Sequence, residues 1–229
     1  MELEKLFRKT RVVGVVGNSG SGKSSLVLSE LIKLRKNHKI AVYILGAEQI
    51  LEPYLKENHI EVLNSKEDLL DLKIHNAVIY CDEFSDIFSP TTKDKQLTKL
   101  TRFFNRIDHL NNFVIISSAH ENFWNKFMCG LVKAYFVKTI EFNSLVNGTT
   151  LKRKVMGIGG NYSDYRLEMP KDTYYIISDD SVVEKGVFEY DSNLDSKRSN
   201  NNPFLEKDEK NSLKKSDKNS GKKDEGEKR

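Results

Sequence analysis

Two rhythms of apolar residues alternate along the first 140 positions of the chain. Unbroken aliphatic and β-branched runs, the mark of strands covered on both faces, occur at Val12 to Val16, Ile40 to Leu45, Ala77 to Cys81, Phe113 to Ser117 and Ala134 to Ile140. A shorter run lies at Ile60 to Leu63. Between these runs the apolar spacing widens to that of a helix, first over Ser24 to Lys36 and later over Glu121 to Leu131. From about Lys93 to His109 the residues Leu97, Leu100, Phe103, Phe104 and Ile107 share one helical face. A short amphipathic lead-in carries Leu3, Leu6 and Phe7, and Ser65 to Leu70 predicts a helix with Ser65 as its cap and Asp68 three residues on. Strands that alternate with helices argue an α/β domain with a mainly parallel sheet flanked by helices.

From Asn143 the helical period stops. Gly148, Gly157, Gly159, Gly160 and Pro170 punctuate strand-like pieces such as Leu151 to Ile158 and Tyr174 to Ile177, which predict antiparallel edge hairpins over about 143–190. Beyond about Asp191 the chain is Ser, Asn, Lys, Asp and Glu, with Phe204, Leu205 and Leu213 as rare apolar residues. Such a segment buries too little surface to offset its ordering entropy, which predicts a disordered tail over 192–229 after one domain over 1–191, its core at about 12–140.

Charge adds to that division. The formal net charge is +4, but Ser196 to Arg229 holds 11 basic and 7 acidic residues, which leaves 26 of each before it, so the folded body is neutral. Cys81 and Cys129 are too few for a disulfide framework and lack zinc-site spacing, and the five histidines, His38, His59, His75, His109 and His120, are scattered. No apolar run approaches ~18 residues and the charged N-terminus is unlike a signal peptide, so the expectation is an intracellular, cytoplasmic protein without a membrane partner.

The candidate chemistry begins at Gly17-Asn18-Ser19-Gly20-Ser21-Gly22-Lys23-Ser24, a full match to the P-loop pattern set between a predicted strand and a predicted helix. Glycines let the backbone curl around phosphate with successive N–H groups turned inward, and the helix that follows, opening with Ser24 and Ser25, adds its positive end. Lys23 would reach the β and γ oxygens of ATP, and Ser24 would ligate Mg2+. The second element is Val78-Ile79-Tyr80-Cys81-Asp82-Glu83, where two acids follow a buried strand. Parallel strands deliver their carboxyl ends to the ligand crevice, so Asp82 suits magnesium and Glu83 suits polarising the attacking water. A second carboxylate at that point favours hydrolysis over transfer to a small acceptor. The guanine-reading Asn-Lys-x-Asp is missing, because Asn125-Lys126-Phe127-Met128 lacks the Asp, and no Ser-Gly-Gly-Gln of the ABC type occurs.

The strand Phe113 to Ser117, continued by Ser118, Ala119 and His120, would bring a polar tip to the γ-phosphate if it lies between the loop-bearing and acidic strands; Ser118 and His120 both suit the sensing role. Arg102, Arg106, Arg153 and Arg166 are the arginines available to stabilise transition-state charge from a neighbouring subunit, with Arg106 foremost. Lys93, Lys95, Lys99 and Lys152-Arg153-Lys154 could meet DNA phosphates, though in a neutral body such clusters are more often solvated faces. Phe123 and Trp124 fit a buried helix face more simply than a stacking platform.

With GNSGSGKSS, VIYCDE, the helix ending in Arg106 and the strand VIISSAH followed by FVKTI, the order of parts over about 12–140 resembles the additional-strand P-loop ATPases. Within them it is similar to the FtsK/HerA superfamily, especially the small packaging ATPases of double-jelly-roll viruses. The resemblance implies a RecA-like P-loop fold, Lys23 and Ser24 on ATP and Mg2+, Asp82 on Mg2+, Glu83 on water and Arg106 as a trans-acting finger. Members usually end the sensor strand in glutamine, where this chain has Ser117-Ser118-Ala119-His120. The implied function is a homo-oligomeric ring that hydrolyses ATP to move double-stranded DNA, without sequence preference, into a viral capsid, with a capsid protein as a further partner. An assembly ATPase that does not act on DNA, and an ATP-gated module that regulates a protein partner, stay open as alternatives.

Overall fold

A computed structural model of the chain describes residues 2–18, 20–46, 52–71, 74–88, 94–119, 126–138, 140–141, 166–167, 172–178 and 183–189. In chain order the elements begin with α1 (Glu2–Phe7), β1 (Val12–Val16), α2 (Lys23–His38), β2 (Ala41–Leu45), α3 (Glu52–Glu57), β3 (Glu61–Leu63), α4 (Lys66–Asp71) and β4 (Ala77–Cys81). They continue with α5 (Phe84–Ile87), α6 (Asp94–Arg106), β5 (Phe113–Ser118), α7 (Lys126–Leu131), β6 (Ala134–Val137), β7 (Ile140–Glu141), β8 (Arg166–Leu167), β9 (Thr173–Ser178) and β10 (Val183–Val187).

Eight strands form one sheet in the order β10-β9-β6-β1-β5-β4-β2-β3. The six from β6 to β3 run parallel, while β9 pairs antiparallel with β6 and β10 with β9. Every residue of β1 and of β4 is buried, which is why their sequences carry no alternation. β5 lies between the loop-bearing β1 and the acidic β4, the additional-strand arrangement on which the expectation for Ser118 depended. The α/β class, the mainly parallel sheet and the antiparallel edge are therefore as the sequence predicts.

On one face Val12, Val16, Ile79, Cys81, Val114, Ile116 and Val137 pack with Phe84, Phe88, Leu100, Phe103, Phe104 and Ile107 into a single apolar cluster. Burial of side chains this size stabilises by about 1.5–3 kcal/mol each, and it fixes α6 along the sheet by the face that the sequence pattern marks. Helix α2 buries Leu26, Val27, Leu28, Leu31 and Leu34. Its Glu30, also buried, accepts the backbone N–H groups of Glu2 and Leu3 at 3.1 and 3.2 Å, so a carboxylate of one helix satisfies the first donors of another. Asn112 pins the start of β4: its Oδ1 accepts the Ala77 N–H and its Nδ2 donates to the Ile74 carbonyl.

Ser65 caps α4 as expected, with Asp68 N–H on Ser65 Oγ at 3.1 Å and Ser65 N–H on Asp68 Oδ2 at 3.0 Å, a reciprocal capping box. Three features differ from the sequence reading. Helices α3 and α5 are not anticipated, each being six residues or fewer. The predicted strand Ala134 to Ile140 is two: β6 stops at Val137, and Ile140–Glu141 pairs instead with Arg166–Leu167. The reason is the neighbour. Lys138 N–H still bonds the Val16 carbonyl, but β1 then turns into the glycine loop and offers no further ladder. The predicted pieces at Leu151 to Ile158 and the tail over 192–229 lie outside the described residues, as do residues 121–125 of the predicted helix before α7.

Candidate functional site

The site is built at the carboxyl ends of β1, β5 and β4. After Val16 the chain turns through Gly17 to Gly22 before α2 begins at Lys23. Gly20 and Gly22 have φ of 75° and 90°, the left-handed region in which a Cβ is disfavoured, so the two glycines are required by the turn itself. Gly22 is the N-cap of α2 and supplies no side-chain hydrogen bond, which leaves the donors of the first helical turn turned toward the loop. Ser21 Oγ is buried without a hydrogen-bond partner, an orphaned donor within that loop. The Lys23 ammonium donates to the Gly17 and Asn18 carbonyls at 2.7 and 3.2 Å and lies 3.3 Å from Glu83 Oε1.

Opposite the loop, β4 delivers Asp82, which is 4% exposed. Its N–H bonds the Leu45 carbonyl at 2.9 Å. Gly46, the next residue after β2, has φ 84°, and a Cβ there would stand 2.5 Å from the Asp82 carbonyl oxygen. The carboxylate takes three hydroxyl donors. Ser24 Oγ donates to Oδ2 at 2.9 Å, while Tyr80 and Ser117 donate to Oδ1 at 2.6 and 2.7 Å. Ser117 Oγ in turn accepts the N–H of Glu83 at 3.0 Å. Glu83 itself has φ 46°, uncommon for a residue with a side chain, and its carboxylate is partly exposed. Tyr80 is wholly buried; desolvation first, and the Asp82 charge second, hold its hydroxyl well above the usual tyrosine range, so it stays a donor. Burial likewise pushes the Cys81 thiol up to about 12, which makes it inert.

The sheet thus brings together Lys23, Ser24, Asp82 and Glu83 as the sequence predicts. Gly17, Asn18, Gly20, Ser21 and Gly22 form the loop, Ser25 is buried in the first turn of α2, and Ser19 lies outside the described residues. On the inserted strand the side chain that meets the acids is Ser117, one residue before the expected Ser118. Strand side chains alternate, and the register that pairs Cys81 with Ile116 carries Asp82 toward Ser117. Ser118 is buried on the other face and accepts the Gly17 N–H through its carbonyl at 3.4 Å; His120 lies outside the described residues.

Arg106 is not brought to this site by its own chain. Helix α6 runs back along the sheet, and the residues just after it, Ile107, Asp108 and Asn111, line a cavity of about 580 Å3 with Arg11, Val12 and Phe113 at the starts of β1 and β5. Arg102, Arg106 and Lys99 are exposed on α6. Arg166 is in β8, and Lys93, Arg153 with its lysine neighbours, Phe123 and Trp124 lie outside the described residues. Sequence reasoning missed Tyr80, Ser117 and Gly46 as parts of the site. A signal for the first was present: a tyrosine inside an apolar buried strand must find a partner for its hydroxyl, and two residues along the same face stands an acid.

The model of the Novel STAND NTPase 1 family matches residues 1–149. The genome packaging NTPase B204 from Sulfolobus turreted icosahedral virus 2, in complex with AMPPCP, superposes with a TM-score of 0.59 at 16% identity, over 77% of this chain and 96% of that one. B204 from Sulfolobus turreted icosahedral virus, a DNA-packaging ATPase, gives 0.59 at 15% identity over 78% and 98%. The pCW3 conjugation coupling protein TcpA, as a monomer with ATPγS, gives 0.58 at 13% identity over 80% of this chain and 62% of its own. No curated protein matches the chain in sequence. At these identities the likeness is one of fold, and it is the fold that the resemblance to packaging ATPases implied.

Proposed function

The chain belongs to the Novel STAND NTPase 1 family, and from that premise we propose that it is an ATP-driven motor that moves double-stranded DNA as a homo-oligomeric ring, most simply into a viral capsid. Membership makes it a P-loop nucleoside triphosphate hydrolase, the class of enzyme that the loop and acidic pair predict. The observation that supports hydrolysis at this site is the convergence of four groups: Ser24 Oγ lies 2.9 Å from Asp82 Oδ2 and Lys23 Nζ lies 3.3 Å from Glu83 Oε1. ATP is the substrate that suits a chain without a guanine-reading motif.

In this mechanism the N–H groups of the loop and of the first turn of α2 cradle the phosphates, and the Lys23 ammonium moves from Glu83 onto the β and γ oxygens. That movement leaves the Glu83 carboxylate to accept a proton from water aligned for attack on the γ-phosphorus, with ADP as leaving group. The Ser24 hydroxyl and the Asp82 carboxylate are hard oxygen donors side by side, a fit for magnesium, which takes one or two protein oxygens beside phosphate and water. Magnesium held there would neutralise charge on the transferring phosphoryl group. Arg106, exposed at the end of α6 that leads into the start of β5, would serve the site of a neighbouring subunit, as in a ring.

DNA as the track is supported by the fold shared with a genome packaging NTPase and a conjugation coupling protein. No helix among the described residues is long and apolar enough to cross a membrane. Steady-state ATP hydrolysis with and without long double-stranded DNA, with Glu83→Gln as the control for contaminating ATPase, tests the proposal. Hydrolysis that rises with DNA and vanishes in Glu83→Gln is expected. Glu83-dependent hydrolysis that ignores DNA overturns the motor and favours the nucleotide-gated module.

A further inference from the structure

We infer that Tyr80 is a positioning residue for ATP hydrolysis: its buried hydroxyl, 2.6 Å from Asp82 Oδ1, fixes the carboxylate so that Oδ2 is the oxygen turned to Ser24 and the magnesium side of the loop. The inference rests on the reading of Asp82 and Ser24 as the metal-side pair. A carboxylate at a strand end can rotate about its Cβ–Cγ bond, a broad and roughly two-fold torsion that side-chain packing alone holds loosely. Here two hydroxyls converge on one oxygen, Tyr80 at 2.6 Å and Ser117 at 2.7 Å, while one, Ser24, takes the other. The asymmetry sorts the two oxygens: Oδ1 is occupied from within the sheet, and Oδ2 faces the loop.

Tyr80 is the donor with no second duty toward the nucleotide. Ser24 is itself a ligand candidate, because its oxygen lone pairs stay available to a metal while its proton is donated to Asp82. Ser117 also accepts the Glu83 N–H at 3.0 Å, so it is shared between the two acids. The tyrosine is wholly buried in the sheet, and its hydroxyl holds Asp82 Oδ1 while Oδ2 stays turned to Ser24 and the loop. Tyr80 and Ser117 stand within 3.4 Å of each other, so the loss of one leaves the other to carry the oxygen alone.

The test measures ADP affinity by calorimetry, with magnesium and in EDTA, for the full chain and for Tyr80→Phe, Ser117→Ala, the double variant and Asp82→Asn, beside a thermal melt of each. Phenylalanine keeps the ring packing and removes only the hydroxyl. The expected result is that magnesium tightens ADP binding by the native protein, that Asp82→Asn abolishes the tightening, and that Tyr80→Phe reduces it by about tenfold, the usual cost of an outer partner of a metal ligand, with affinity in EDTA unchanged. The double variant should lose more than the sum of the two singles, because Oδ1 is then left without either donor. Tightening equal to the native protein's in Tyr80→Phe, with Asp82→Asn still inactive in it, overturns the role of Tyr80 alone. No tightening in the native protein overturns the metal-side pair and the inference with it. Should Tyr80→Phe lower the melt and both affinities together, the tyrosine is a packing residue only, and the inference falls.

Discussion

Two charges are buried on either side of β1, and they are supported in opposite ways. Asp82, beyond β5, receives three hydroxyl donors at 2.6–2.9 Å. Lys138, at the end of β6, donates to the Thr173 carbonyl at 2.6 Å and sits 4.7 Å from the centre of the Phe188 ring. Desolvation pulls its amine down to about 8, with the Asp172 charge working the other way. Oriented hydroxyls replace the water that a carboxylate loses, whereas desolvation still weighs on the ammonium. The lesson is that burial alone does not mark a functional charge. Asp82 is solvated by the protein at the place where ligand is expected, whereas Lys138 stitches β9 and the residue after β10 to the sheet and keeps part of the cost of burial.

The largest effects that would break this contrast lie on the Asp82 side. Glu83→Gln should keep nucleotide affinity and slow turnover by about 10² or more, read in single-turnover hydrolysis; Lys23→Ala should lose affinity first. Gly46→Ala should come next, because a methyl would meet the Asp82 carbonyl at 2.5 Å in a left-handed backbone, and a loss of about 2–4 kcal/mol in urea denaturation is expected, with Asp82 displaced.

On the other side, Lys138→Met should be neutral or stabilising at pH 7, by up to about 2 kcal/mol. The sign of its pH dependence follows from the lowered value. Between about 8 in the folded chain and 10.5 in the unfolded one the unfolded chain binds more protons, so the contribution of Lys138 to stability rises with pH across that window and is flat below it. Cys81, raised from 9.0 to about 12, acts the opposite way above pH 9, and Tyr174, also pushed up to about 12, above pH 10, so the window to measure is pH 8–9, where Lys138→Met should flatten the rise. The smallest effect is expected from an exposed pair. Arg11, 3.1 Å from Asp108 and stacked 4.3 Å over Phe113, should cost only about 0.5–1 kcal/mol on change to Gln.

Much of this was legible before the fold was known, for physical reasons that differ by element. β1 and β4 match their predicted bounds because a strand buried on both faces leaves an unbroken apolar run. The loop and acids are legible because phosphate chemistry dictates residue types at fixed spacing. Ser117 was hidden as a partner of Asp82, since their meeting depends on the register of β5 against β4, which no local pattern encodes, whereas Tyr80 stands two residues from Asp82 on one strand face and was legible in principle. The end of β6 was misplaced because the chain stays apolar around Lys138; the limit comes from β1, where Val16 is the last residue able to pair. The direction of Arg106 likewise follows from how α6 returns along the sheet.

The place of β5 has a consequence for how the molecule comes into being. Val12 pairs with Val114 and Val13 with Ala134, so β1, made before β2, β3 and β4, gains its neighbours only after they have been made. Until β5 and β6 have been made, the glycine loop hangs from an unpaired apolar strand. Closure of such distant parallel partners is intrinsically slow and leaves hydrophobic surface open to aggregation. The nascent chain therefore has a stake in chaperone protection of β1 until β5 and β6 have been made.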